Sequence, residues 1–150
     1  MANDTLDTMA GHLIRRLNQH ATQVFSRRMQ EQGLPLTPVQ FAALDVIASA
    51  PGIDQAGVAA RIAYDRATIG GVIDRLDQRG YVTRTVARHD RRARTLHLTG
   101  AGAALLDTIR PEVIALQSDI LHGLDPAERA QFMALAARII AATAPENGDG

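Results

Sequence analysis

The chain contains no cysteine, no lysine and no tryptophan, and aromatic residues make up only 3% of its 150 residues. Without cysteine it has no disulfide framework, no thiol nucleophile, no thiolate metal site and no cysteine redox sensor. Because aromatic residues are so few, leucine, isoleucine, valine and alanine must fill the core, which favours packed helices over a β-sandwich. No apolar run approaches the roughly 20 residues of a membrane span. The start of the chain lacks the basic segment of a signal peptide, so we expect a cytoplasmic protein without a membrane partner.

Sequence patterns typical of enzymes are also missing. We find no glycine-rich phosphate loop, no GxSxG and no HExxH. The five histidines do not have the close spacing of a zinc site. We therefore expect no enzymatic activity and no catalytic residues, and we expect neither a cofactor nor a metal.

The charge is uneven along the chain, although the net charge is zero. Between Arg61 and Arg94 there are nine arginines and four aspartates, a net charge of +5, and the rest of the chain carries −5. A basic middle between acidic flanks indicates that the middle faces a polyanion.

Periodicity and turn residues predict a mainly α-helical chain with one small β-hairpin. Thr37, Asp65 and Asp125 are predicted helix caps, and Pro38 and Pro126 occupy the first helical position after a cap. The predicted helices cover 5–31, 38–50, 53–63, 66–80, 100–122 and 126–143, and the predicted hairpin covers 81–99.

Two short helices followed by a basic hairpin describe a winged helix-turn-helix, whose second helix enters the major groove of DNA. Here that helix begins with Arg66, Ala67 and Thr68, which can contact guanine, phosphate or a thymine methyl group. Gly70 and Gly71 each cost a helix interior about 1 kcal/mol relative to alanine. Either they allow close approach to DNA, or they pack against another helix, or they are tolerated without a structural role. The sequence leaves these explanations open and assigns no base contact to either glycine.

The hairpin tip "RHDRRAR", residues 88–94, carries four arginines. An arginine on such a tip fits the narrow, negative minor groove, and Asp90 is expected to pair with a neighbouring guanidinium and orient it. The alternative is a solvated loop, but the position directly after a helix-turn-helix favours DNA. The predicted DNA-binding residues are Arg66, Ala67, Thr68, Arg75, Arg88, Asp90, Arg91, Arg92 and Arg94.

Residues 36–106 resemble the MarR family of bacterial transcription regulators. The matching segments are "LTPVQFAAL", "GIDQAGVAARIAYDRATIGGVIDRLDQRGYVTR" and "DRRARTLHLTGAG", the last joining an Asp-x-Arg wing tip to Leu-Thr-x-x-Gly. The resemblance implies a triangular homodimer with terminal helices at the dimer interface. It also implies that Asp90 and Arg92 are the wing aspartate and the minor-groove arginine, and that Thr68 is a recognition-helix contact. The chain departs from the family at Gly71, where many members have a polar or basic residue.

We expect a single domain of this type over residues 1–150. Residues 1–34 and 100–144 form its helical dimerisation region, 36–99 its winged helix-turn-helix, and 145–150 a disordered tail. The outer helices are more apolar than a small winged domain can cover, which also indicates a homodimer. The residues expected to need a partner are Leu105, Leu106, Ile109, Val113, Ile114, Leu116, Ile120, Leu121, Phe132, Met133, Leu135, Ile139 and Ile140.

The first helix carries a candidate ligand site, because His12, Arg16 and His20 recur every four residues beside an apolar row. If this side faces the winged domain, it borders Phe41 and Leu44 and forms an apolar cleft with a cationic anchor for a small aromatic carboxylate. The alternative is an ordinary solvated or interface surface. The predicted ligand-binding residues are His12, Arg16, His20, Phe41 and Leu44.

The features together favour a ligand-responsive transcriptional regulator, a repressor that binds a palindromic operator as a homodimer and is released by a small aromatic carboxylate. Within the family, "DRATIGGVIDRL" is most similar to regulators of aromatic-acid catabolism, including the nicotinate-pathway type. The alternative is an architectural DNA-binding protein without a small-molecule ligand. The recognition helix argues against it, because minor-groove architecture does not need one.

Overall fold

The computed structural model describes residues 5–34, 36–62, 64–88 and 90–143, with residues 87 and 90–93 described by their backbone alone. The predicted tail, 145–150, lies outside the described residues. The fold is mainly α-helical with one antiparallel β-hairpin, as predicted. The elements are a short 3-10 turn (Thr5–Thr8), α1 (Ala10–Glu31), α2 (Pro38–Ser49), α3 (Gln55–Ile62), α4 (Arg66–Gln78), β1 (Val82–Ala87), β2 (Asp90–Leu98), α5 (Gly100–Ile120) and α6 (Pro126–Thr143).

The predicted helix caps are confirmed by their hydrogen bonds. At α2 the Gln40 N–H donates to Thr37 Oγ1 at 3.2 Å, and the Thr37 N–H donates to Gln40 Oε1 at 3.1 Å. Asp125 and Glu128 make the same reciprocal pair at the start of α6, at 2.8 and 3.0 Å. Each pair satisfies backbone donors that the first helical turn leaves without a partner.

The first helix, α1, is shorter than the predicted helix 5–31. Residues Thr5–Thr8 form a 3-10 turn, and Met9 has an extended backbone (φ −95°, ψ 123°) that separates the turn from α1. The apolar spacing continues across this break because a 3-10 turn has nearly the period of an α-helix.

The chain divides into two compact units, residues 1–116 and 117–150. The core of the first unit consists mainly of aliphatic side chains, as the composition predicts, together with Phe25 and Met29. Its fully buried members include Leu44, Ile47, Val58, Ile69, Ile73, Leu76, Leu96, Leu106, Ile109 and Leu116.

The base of the hairpin is bound to the turn between α2 and α3. The Gly52 N–H donates to the Leu96 carbonyl at 2.9 Å, and the Leu96 N–H donates to the Ile53 carbonyl at 2.8 Å. The Leu96 side chain is fully buried. Backbone pairing and burial therefore fix β2 against the helices that precede it.

The prediction that the apolar residues of α5 need a partner chain is partly wrong. Leu106, Ile109, Val113 and Leu116 are buried within the single chain, whereas Ile114 is exposed. Burial recurs at steps of three and four along α5, so one face of this helix belongs to the core. In α6, which belongs to the second unit, no residue is buried.

Candidate nucleic-acid interface

The orientation of α4 follows from its buried face. Ile69, Val72, Ile73 and Leu76 are buried, and they recur at the spacing that keeps one side of a helix against the core. The opposite side is exposed to solvent.

The start of α4 is held by Asp65. Its Oδ1 accepts from the Thr68 N–H and its Oδ2 accepts from the Thr68 hydroxyl, both at 2.8 Å. The backbone N–H of Thr68, and then its hydroxyl, lower the pKa of the Asp65 carboxyl. The Thr68 hydroxyl proton is therefore engaged, which leaves its oxygen lone pairs and its methyl group available to a partner.

The predicted recognition residues of α4 are placed on its surface. Arg66, Ala67, Thr68 and Arg75 are all exposed. Arg66 and Arg75 are nine residues apart, two and a half turns, so their side chains leave α4 on opposite sides.

The two glycines of α4 differ in their surroundings. A β-carbon at Gly70 would lie 3.7 Å from Gln55 Nε2, which is an ordinary contact, and one at Gly71 would meet no atom within 4 Å. Packing against another helix among the described residues therefore explains neither glycine.

An ion pair that the sequence analysis did not identify connects the recognition helix to the hairpin. The Arg84 guanidinium of β1 donates to Oδ1 of Asp74 on α4. The Arg84 side chain is 21% exposed and the Asp74 side chain 55%. The one available signal was that Arg84 shares a strand face with the buried Val82 two residues earlier. The pair therefore links the hairpin to α4, in addition to the backbone hydrogen bonds at the base of the hairpin.

The hairpin carries exposed arginines beyond this pair. Arg88 and Arg94 are both exposed, and the strand register shifts between Val86 and Ala87. Such a bulge increases local twist and redirects the strand end. The side chains of Asp90, Arg91 and Arg92 lie outside the described residues, so the Asp90–Arg92 pairing stays a prediction.

The hairpin is joined to α5 by a close backbone contact. The Thr99 hydroxyl donates to the Gly80 carbonyl at 2.6 Å, and the Thr99 N–H donates to the Tyr81 carbonyl at 3.0 Å. The Gly102 N–H then donates to Thr99 Oγ1 at 3.0 Å. A β-carbon at Gly102 would lie only 2.1 Å from the Tyr81 oxygen, so glycine is required there.

The residues of the predicted ligand site are not brought together in the single chain. Arg16 and His20 are exposed, and the partly exposed His12 contacts the Arg15 guanidinium through Nδ1 at 2.7 Å. Phe41 packs instead against Phe25, with ring centroids 6.3 Å apart.

Helix geometry accounts for this separation. Phe25 is nine residues after Arg16, so the two side chains leave opposite sides of α1. Leu44 is fully buried in the core. The ligand site therefore stays a prediction.

Two further ion pairs connect α5 to the helices that precede it. The Arg28 guanidinium of α1 donates to Glu112 Oε2 at 2.7 Å. Arg110 donates to Asp45 Oδ1 on α2 through two nitrogens, at 2.8 and 3.2 Å. Because side chains of α5 hold both α1 and α2, a shift of α5 would be transmitted to both helices.

Within the described ranges, no cluster of three or more histidine, aspartate or glutamate side chains is arranged to hold a metal ion. No helix in the described part of the chain is both long and apolar enough to span a bilayer.

Comparison with known proteins identifies relatives of the whole chain. A family model described as the MarR family matches residues 32–93. The HTH-type transcriptional repressor NicR of Pseudomonas putida is 32% identical over 130 residues, which cover 87% of this chain and 81% of NicR.

Two solved structures are similar in both sequence and fold. The transcriptional regulator PcaV of Streptomyces coelicolor, in complex with its natural ligand, is 31% identical with a TM-score of 0.83, covering 95% of this chain and 99% of PcaV. BpsR of Bordetella bronchiseptica, whose DNA binding is regulated by 6-hydroxynicotinic acid, is 28% identical with a TM-score of 0.83, covering 92% of this chain and 97% of BpsR.

Proposed function

This chain belongs to the MarR family of transcriptional regulators, and on that premise we propose that it is a repressor that binds a palindromic operator as a homodimer and is released by a small aromatic carboxylate. As a member of this family it is a DNA-binding regulator and not an enzyme. The observation that carries the proposal is the exposed face of α4, whose start is capped by Asp65 and which is tied by Arg84 to a hairpin with exposed arginines.

The proposed DNA contacts divide between the two grooves. Residues 66–68 and Arg75 on α4 contact the major groove and its phosphates. The hairpin tip, with Arg88, residues 90–92 and Arg94, contacts the adjacent minor groove, where arginine is favoured by the negative potential.

A homodimer is supported by apolar surface on the two outer helices, each taken alone. In the first unit, Leu13, Ile14 and Leu17 of α1 are exposed. In the second unit, Ile139 and Ile140 of α6 are 62% and 70% exposed. Monomeric proteins rarely present such surfaces. A two-fold dimer would place two recognition helices about 34–36 Å apart, which matches successive major grooves on one side of DNA.

An aromatic carboxylate effector is supported by the relatives and by one side chain. BpsR responds to 6-hydroxynicotinic acid, and NicR is a repressor. Arg16 offers a permanently charged, two-pronged partner for a carboxylate, and His12 and His20 lie one turn away on either side. In this proposal the effector binds the DNA-incompetent state more tightly, which is the only way it can shift the equilibrium.

The DNA-binding part of the proposal is tested by selecting a binding site from random-sequence DNA and measuring competition with bulk DNA. A repressor should prefer its selected palindrome by about a thousandfold or more. Equal affinity for both DNAs would instead identify an architectural protein.

The dimer is tested by sedimentation at micromolar concentration. Wild type should sediment as a dimer, and a double variant with Ile139→Asp and Ile140→Asp should sediment as a monomer that loses affinity for the palindrome. Gln131→Asp, on the same helix, is the control for added charge. A monomeric wild type that still binds the palindrome tightly would contradict the two-fold arrangement.

The effector is tested by titrating operator complexes with benzoates, hydroxybenzoates and pyridine carboxylates. At least one compound should release wild type, and Arg16→Ala should bind DNA normally but stop responding. Arg27→Ala is the matched control, since Arg27 is exposed and lies on the same side of α1 three turns away. An Arg16→Ala variant that responds like wild type would remove Arg16 from the site.

A further inference from the structure

Gly71 lies in the middle of the outward edge of α4. It is two residues after Ile69 and two before Ile73, both fully buried, so it points about 200° away from each of them round the helix. Ala67, one turn earlier, has the same relation to Ile69. Asp74 is likewise two residues from the buried Val72 and Leu76, so Ala67, Gly71 and Asp74 together form the side of α4 that points away from the core.

The first two turns along this edge are apolar. Ala67 presents a methyl group and Gly71 only its Cα hydrogens. The Thr68 hydroxyl proton is engaged by Asp65, and the Asp74 carboxylate is engaged by Arg84. The first two turns of this edge thus offer DNA carbon atoms rather than free hydrogen-bond donors.

The absence of a side chain at Gly71 has a cost, and no contact among the described residues requires it. Glycine in a helix interior is less stable than alanine by about 1 kcal/mol, yet a β-carbon here would meet open space. An added β-carbon would instead contact a molecule bound to the outer side of α4. For a recognition helix, this is the floor of the major groove.

We propose that Gly71, together with Ala67, is a specificity-determining position that brings the backbone of α4 against the 5-methyl groups of thymine in each operator half-site. Thymine is the DNA base that presents a methyl group in the major groove. An apolar edge without free donors favours it over bases that need a hydrogen-bond partner. This inference rests on the proposed function and adds the class of base that the edge reads.

The first test removes thymine methyl groups from the DNA. Each thymine of the selected half-site is replaced singly by uracil, which keeps every hydrogen-bonding group, and the affinity of wild type is measured by fluorescence anisotropy. At one or two positions the affinity should fall about fourfold for each buried methyl group lost. Affinities unchanged at every thymine would overturn the proposal.

The second test adds a methyl group to the protein. Gly71→Ala should raise the melting temperature, because alanine is the better helix former, and should weaken operator binding at least about fivefold, because the methyl group overpacks the interface. Gly70→Ala is the matched control, since its β-carbon is directed toward Gln55. It should raise the melting temperature similarly and keep the affinity within about threefold of wild type.

The outcomes separate this inference from the proposed function. If Gly71→Ala binds like wild type, or if Gly70→Ala loses as much affinity as Gly71→Ala, the close approach at Gly71 is refuted while the repressor proposal stands. If wild type selects no preferred sequence at all, the proposed function itself fails.

Discussion

Replacing Gly102 by alanine should destabilise the junction between the hairpin and α5. A β-carbon at this position would lie 2.1 Å from the Tyr81 carbonyl oxygen and 2.9 Å from its carbonyl carbon. That oxygen is held in place because it belongs to the backbone and accepts the Thr99 N–H at 3.0 Å. Ordinary contact begins near 3.4 Å, so the junction must open by about 1.3 Å.

The size of the effect follows from two opposing contributions. Forcing a methyl group into a packed site costs about 1–3 kcal/mol, and exchanging glycine for alanine returns at most about 1 kcal/mol of helix propensity. Because the obstacle is backbone rather than a flexible side chain, we place the cost at the upper end. The net loss is then about 2 kcal/mol, which lowers the melting temperature by roughly 4–8 °C in a chain of this size.

The assay is thermal unfolding followed by circular dichroism at one fixed protein concentration, since dimerisation makes the melting temperature concentration-dependent. Gly100→Ala is the matched control, because a β-carbon there meets no atom within 4 Å. Its melting temperature should equal or slightly exceed that of wild type. If the melting temperature of Gly102→Ala equals or exceeds that of wild type, the predicted clash with the Tyr81 carbonyl is refuted.

Three other variants test the parts that position the DNA-binding surface. Arg84→Met should cost at most about 1 kcal/mol of stability, since the partner carboxylate is half exposed. It should nevertheless weaken operator binding, because the hairpin loses its ion pair with α4. The control Asp77→Asn should change neither stability nor binding, and full operator affinity in Arg84→Met would argue against a role for the ion pair. Leu96→Ala should lower the free energy of unfolding, measured by chemical denaturation, by about 2–5 kcal/mol, because the Leu96 side chain is fully buried. The control Val86→Ala should have little effect in this assay, because Val86 is 53% exposed. Asp65→Asn should lower the melting temperature at neutral pH. Because the folded-state pKa of Asp65 lies below its ordinary 3.8, the contribution of the carboxylate is complete above that value and is lost as pH falls through the folded-state pKa. The difference from wild type should therefore disappear in acid, and a difference that grows there would contradict the sign.

The local features of this protein could be predicted from the sequence because their interactions span few residues. The caps at Thr37, Asp65 and Asp125 are hydrogen bonds between residues three apart, so the residue types alone specify them. The alternation of the hairpin is encoded in the same short range, whereas the requirement for glycine at position 102 comes from the Tyr81 carbonyl, which is distant in sequence. The family resemblance and the charge excess also pointed to DNA from the sequence alone, because one contiguous segment in the middle of the chain carries both.

Only the tertiary structure decided which faces of these elements meet. The Arg84–Asp74 pair joins two elements and could not be deduced from either one, and the burial of one α5 face depends on side chains distant in sequence. The same holds for α1, where Phe25 and Arg16 both lie on a regular helix, but only packing shows that the Phe25 side meets Phe41. Helical periodicity determines which residues share a face, whereas the choice of the face that is buried is made by the packing of the whole chain.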